Sequence, residues 1–196
     1  MRVPTAVLIS GSGSNMEALL RAAEDPGFPA DIRLVISNRP EAGGLAKARA
    51  RGVEALTVDH ALYGKDRRAF ETALNTALVT YGIRFVALAG FMRILTAEFV
   101  ELWRGRMINI HPSLLPRFKG LNTHARALEA GDPHHGCTVH WVTPELDDGQ
   151  IIAQASVAVL PDDDEKTLAA RVLAEEHKLY PIALTAAIRS LAAQAT

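Results

Sequence analysis

The chain has 196 residues, with 21 basic and 22 acidic side chains and a formal net charge of −1 at pH 7. That balance excludes a nucleic-acid binder that relies on bulk basicity, and a hydrophobic content of 48% without a long polar tract excludes a disordered chain. The single cysteine, Cys137, permits neither an internal disulfide nor a cysteine-rich metal site, and no apolar run reaches the ~18 residues of a membrane span.

A length of this order suits one domain, able to bury roughly 70% of the surface exposed by the unfolded chain. The start at Met1 leads into a short apolar run broken by Ser10 and glycines, too short for a signal peptide, and a cytoplasmic protein is expected. Short apolar runs then alternate with amphipathic stretches. Strands are predicted over residues 5–10, 32–37, 54–58, 85–89 and 107–109, with helices over 15–23, 44–51, 66–81 and 96–103 between them. Several of the strands are solidly apolar, as expected where helices cover both faces of a parallel sheet. A loop rich in Pro and Gly follows from His111 to Gly120. Beyond it come a short helix over 123–130, strands over 137–142 and 151–159, and a helix over 165–191 that opens on acidic residues. The pattern predicts an α/β protein in a single domain, with a doubly wound, mostly parallel sheet and a Rossmann-like N-terminal half. Such sheets bind ligands beyond the carboxyl ends of their strands, where the strand order reverses. Three predicted loops end that way, after Ser10, Ala89 and Asn109.

The first of these, Ser10-Gly11-Ser12-Gly13-Ser14-Asn15, joins a strand to a helix. Glycines let backbone N–H groups approach an anion, the helix start adds partial positive charge, and Ser12, Ser14 and Asn15 add donors. The third glycine of a dinucleotide fingerprint is replaced by Met16, and no acid ends the second strand, so a monophosphate fits better than a dinucleotide. Read alone, the loop fits a tight turn with a serine cap equally well.

The third loop carries the chemistry. In Asn109-Ile110-His111-Pro112-Ser113-Leu114-Leu115-Pro116, residues 109 and 111 share one side of an extended segment, and Pro112 favours extension at His111. An amide donor beside an imidazole suits acyl-type transfer, one group stabilising an oxyanion and the other moving a proton. A carboxylate should orient the imidazole. Asp147 is the candidate, Asp148 its rival, and an Asp before Gly149 is also an ordinary turn residue. No nucleophile stands out: Cys137 reads as a buried structural thiol, and Ser113 lacks a nucleophile elbow. Direct transfer in a ternary complex is therefore expected.

Other residues read more plainly. Arg67, beside Lys65 and Arg68, suits a solvated basic face. Phe91, Met92, Ile94 and Leu95 follow a strand and Gly90, where they suit a pocket wall. His134, His135 and His140 match no zinc spacing, so no metal is expected; the first two read as loop surface and His140 as a strand residue facing the pocket. His60, His124 and His177 read as structural, and Trp103 and Trp141 as core or lid.

With these motifs in view, the chain resembles the folate-dependent formyltransferases, within them the phosphoribosylglycinamide branch of purine synthesis. The resemblance runs through residues 9–15 and 88–95, then Asn109 to Pro116 and Phe118-Lys119-Gly120. It continues through Ala127 to Gly131, Leu146-Asp147-Asp148-Gly149-Gln150-Ile151 and Glu176-His177. It implies the formyltransferase fold, with a phosphate-binding half over about 1–105 and a catalytic, folate-binding half over about 106–196. It also implies two small-molecule substrates, 5-phosphoribosylglycinamide and 10-formyltetrahydrofolate, with no metal, nucleic acid or membrane partner. Residue by residue it implies Asn109, His111 and Asp147 as catalytic, with Asp147 favouring the charged imidazole and holding a water that relays a proton. Gly13, Ser14 and Asn15 would bind the phosphate and Glu176 the ribose. Met92, Arg93, Ile94 and Leu95, with Asn109, would line the folate site, and Arg67 would meet the folate tail. Some relatives carry a lysine where this chain has Leu173, which leaves more of the phosphate to the glycine loop. The tail after Leu191 is short, so a final edge strand is expected to be reduced or missing. A homodimer is compatible with the sequence. The rival within enzymes is a formyltransferase acting on charged tRNA or a sugar nucleotide, which would need a further domain; outside enzymes it is a non-catalytic phosphate-binding module.

Overall fold

The computed structural model describes residues 2–194; Met1 of the predicted start and the last two residues of the predicted short tail lie outside the described residues. Seven strands, β1 (Val3–Ile9), β2 (Ala30–Ser37), β3 (Glu54–Thr57), β4 (Phe85–Leu88), β5 (Met107–His111), β6 (His134–Trp141) and β7 (Ile151–Ala158), form one sheet in the order β3-β2-β1-β4-β5-β6-β7. Strands β1 to β5 pair in parallel, whereas β6 and β7 run antiparallel to their neighbours. Helices α1 (Ser14–Ala23), α2 (Gly43–Ala50), α3 (Arg67–Thr80), α4 (Ala97–Leu102), α5 (Thr123–Glu129) and α6 (Glu165–Gln194) connect and cover it. A 3-10 turn over His60–Tyr63 is an element the periodicity did not reveal, being too short to show a period.

Alternation along the strands sorts the core into two layers. On β1, Val7 and Ile9 face the side covered by Met16 and Leu19 of α1, Leu45 of α2, and Tyr180 and Leu184 of α6. Ala6 and Leu8 face the opposite side, against Phe70, Leu74 and Leu78 of α3 and Phe99 of α4. Burial on both faces is why residues 6–9 of β1, 34–36 of β2 and the whole of β4 read as unbroken apolar runs. The β6–β7 pair is covered on one face by Leu168 and Val172 of α6.

The strand order reverses between β1 and β4. From β1 the chain builds outward through β2 and β3, then returns to the other flank of β1 at β4. The loops after β1 and β4 therefore emerge side by side, with the end of β5 next to them, and the sequence motifs meet at this edge. Helix α6 continues past the predicted end at residue 191 to Gln194 and holds Pro181 within it.

Candidate active site

Helix α1 begins without a side-chain cap. Its N-cap is Gly13, in the left-handed region at φ 71°, and no side chain bonds the first turn. The orphan N–H groups of that turn are thus open to an anion. The loop is tightly built: a Cβ on Gly13 would lie 2.9 Å from Cα of Gly44, and Gly44 N–H donates to Gly11 O at 3.0 Å. Asn15 is buried, and its Nδ2 donates to Glu176 Oε2 at 2.6 Å, while its Oδ1 has no hydrogen-bond partner among the described residues. Burial pushes the Glu176 carboxyl above its ordinary pKa, against the opposing effect of the Asn15 hydrogen bond. Gly13, Ser14, Asn15 and Glu176 are therefore one cluster, joined across 161 positions of sequence.

Asn109 and His111 project from β5 towards the facing residues of β6. The register places Asn109 opposite His140 and His111 opposite Thr138, all on one face. His111 is buried; its Nε2 meets Phe118 O at 3.0 Å and its Nδ1 meets Asp147 Oδ2 at 3.4 Å. Both ring nitrogens thus face oxygen acceptors. Asp147 also accepts from Gly120 N at 2.8 Å, so it ties the loop after β5 to the loop after β6. Asp148 points outward and pairs with Lys119. Asp147 adopts φ 50°, which the short Asp side chain tolerates, and Gly149 is sterically required, because a Cβ there would lie 1.7 Å from Trp141 O.

His140 completes the group. Its Nδ1 donates to Trp141 O at 2.9 Å, which leaves Nε2 as the acceptor of Asn109 Nδ2 at 3.2 Å. Nε2 also lies 3.8 Å from Asp147 Oδ1. Burial lowers the His140 pKa, only partly countered by the Trp141 carbonyl and Asp147, so the ring is neutral at neutral pH. Residues 113–115 are pinned from below: Thr138 Oγ1 donates to Ser113 O, and Gln154 Nε2 donates to Leu115 O. The Leu115–Pro116 peptide is cis. These anchors, Thr138, Gln154 and Phe118 O, carry no local sequence signal.

The loop after β4 holds Met92 and Ile94 outward and Arg93 and Leu95 half-buried. The Arg67 guanidinium is bonded to the Ile94 carbonyl, so it flanks the predicted folate wall. One expectation needs correction. His135 is not surface loop: it is 1% exposed, because β6 begins at His134 and turns residue 135 inward against His124 and Phe118. Burial, aided by His124, lowers its pKa to about 4. The strand starts this early because residues 134–136 pair with residues 156–158 of β7, a close approach that Gly136 permits, since a Cβ there would lie 2.0 Å from Ala155 O. Cys137 is fully buried and burial pushes its thiol up to about 12, as a structural thiol should be. Among the described residues no three His, Cys, Asp or Glu side chains form a metal-binding group, and no helix is long and apolar enough to cross a membrane.

A doubly wound sheet with ligand loops at its reversal point, and an amide–imidazole–carboxylate group beside them, defines an α/β protein built for small-molecule group transfer. Residues 2–184 match the family described as formyl transferase, and the chain belongs to that family. It is 44% identical over 179 residues to the phosphoribosylglycinamide formyltransferase of Escherichia coli, covering 91% of this chain and 84% of that one. It is 49% identical over 179 residues to the human trifunctional purine biosynthetic protein adenosine-3; there the match covers 91% of this chain but 18% of that protein's length. The crystal structure of phosphoribosylglycinamide formyltransferase from Brucella melitensis superposes with a TM-score of 0.90 at 51% identity, covering 94% of this chain and 95% of that one.

Proposed function

We propose that this chain transfers the formyl group of 10-formyltetrahydrofolate to the glycyl amine of 5-phosphoribosylglycinamide, a step of purine synthesis, by direct attack through a tetrahedral intermediate. The observation that supports it most is the convergence of Asn109, His111 and Asp147 beside an uncapped, glycine-lined helix start. Gly13, Ser14 and Asn15 bind the substrate phosphate through backbone and side-chain donors, and Glu176 accepts from the ribose hydroxyls. Met92, Arg93, Ile94 and Leu95 form the folate wall through backbone groups, with Arg67 at its outer end.

Asn109 gives one amide N–H to His140, which fixes its orientation and leaves the second N–H for the oxyanion. His111, anchored through Nε2 on Phe118 O, presents its Nδ1 edge beside Asp147. The charged imidazole then stabilises the same oxyanion. As the amine adds to the formyl carbon it sheds a proton; a water held by Asp147 carries that proton to the folate nitrogen, and the carbon–nitrogen bond to folate breaks. Because the amine attacks directly, no enzyme nucleophile is required, consistent with a Ser113 hydroxyl committed to Arg117 O.

The test is direct: the purified chain, given both substrates, should change the folate absorbance at a rate set by enzyme concentration. Tight phosphate-ligand binding without turnover would overturn the proposal in favour of a binding module. A small-molecule enzyme of this kind would work in the cytoplasm.

A further inference from the structure

The loop between β4 and α4 is held at three points. Arg67 bonds the Ile94 carbonyl, and the buried carboxylate of Glu71 takes both the N–H and the hydroxyl of Thr96. The third point lies at the other substrate loop. Met92 N–H donates to Ser10 Oγ at 2.7 Å, and the Ser10 hydroxyl donates to Asn38 Oδ1 at 2.5 Å. Ser10 is 5% exposed and Asn38 is 1% exposed. Asn38 in turn faces His60 Nδ1 through Nδ2 at 3.2 Å. One hydroxyl therefore ties together the loops that follow β1, β2 and β4.

A serine that served only its own turn would direct its hydroxyl within residues 10–15, as a cap or an anion donor. Ser10 directs acceptor and donor to residues 92 and 38 instead, so it is withdrawn from the anion. We propose that Ser10 is a positioning residue for the formyl donor: its hydroxyl sets the place of Met92 in the folate wall, and Asn38 fixes the rotamer of that hydroxyl. This rests on the assignment of Met92 to Leu95 to the folate site. Removing the hydroxyl would leave the Met92 N–H without its acceptor, and the loop would relax away from β1.

The experiment compares Ser10→Ala, the near-isosteric Ser10→Cys, whose thiol is a weak acceptor, and Ser10→Thr, which keeps a hydroxyl. In Ala and Cys variants, amide hydrogen exchange at Met92 should accelerate ~10-fold and the KM for 10-formyltetrahydrofolate should rise ~5- to 10-fold, the scale of one lost hydrogen bond. The KM for the phosphorylated acceptor should stay within ~2-fold, and Ser10→Thr should restore both readouts. Unchanged exchange at Met92 in both variants, or equal rises in the two KM values, would overturn the role. Faster exchange with an unchanged donor KM would overturn it as well and would remove Met92 from the folate wall. Absence of formyl transfer by the unaltered chain would sink the proposed activity alone, and binding of tetrahydrofolate, followed by fluorescence beside the exchange measurement, would then decide the place of Ser10.

Discussion

The carboxylate of Asp147 lies 3.4 Å from Nδ1 of His111, whereas its neighbour Asp148 turns outward to Lys119. Two adjacent acids thus have different surroundings, and their substitution should separate them. Asp147→Asn is expected to lower kcat by ~10²-fold, the scale of a lost acid–base partner, and Asp148→Asn to change it less than ~3-fold, as for a surface pair. Steady-state kinetics on the two variants checks the order; equal effects would remove Asp147 from the mechanism.

His111 is the group on which the chemistry is proposed to turn. His111→Ala should slow turnover by at least ~10²-fold while leaving both KM values near normal, because the ring is argued to act on the transition state. A near-normal kcat would refute that role.

The steric argument at Gly13 makes a local prediction. With φ 71° and Gly44 Cα 2.9 Å from a would-be Cβ, Gly13→Val should distort the loop and raise the KM for the phosphorylated substrate by ~10-fold or more. Folate binding should stay largely intact. Equal loss of both would count against a local anion cradle.

Burial of His135 has a consequence for stability. Its ring titrates at about 4 when folded, against an ordinary value of 6.5. The unfolded chain therefore binds this proton more readily, and its contribution to stability, full above pH 6.5, is lost as pH falls from there towards 4. Proton NMR should find this imidazole neutral at pH 5.5. In denaturant melts, His135→Asn should weaken the dependence of stability on pH across that window.

Much of this arrangement is legible in the sequence because it is local. The apolar runs over residues 6–9, 34–36 and 85–88 mark strands covered on both faces, and the spacing of Asn109 and His111 on one strand places them together whatever the rest of the chain does. What was not legible depends on partners far away. The choice between Asp147 and Asp148 follows from the left-handed backbone at 147 and the close approach of Gly149 to Trp141, neither visible in a Leu-Asp-Asp-Gly string. Pro133-His134-His135-Gly136 has the composition of a surface loop; pairing with residues 156–158 of β7, far along the chain, makes residues 134–136 strand. The Ser10–Met92 contact spans 82 positions, and the exposed Arg67 bonds a backbone carbonyl 27 positions away, so no short-range pattern could announce either.

The bond from Asn15 to Glu176 joins the first helix of the chain to its last. A ribosome emitting this polypeptide would release the proposed phosphate loop 161 positions ahead of its Glu176 partner. The nascent chain therefore cannot complete the Asn15–Glu176 contact until α6 has docked, and on the proposed assignment removing that helix would weaken phosphoribosyl recognition at a loop more than a hundred residues upstream.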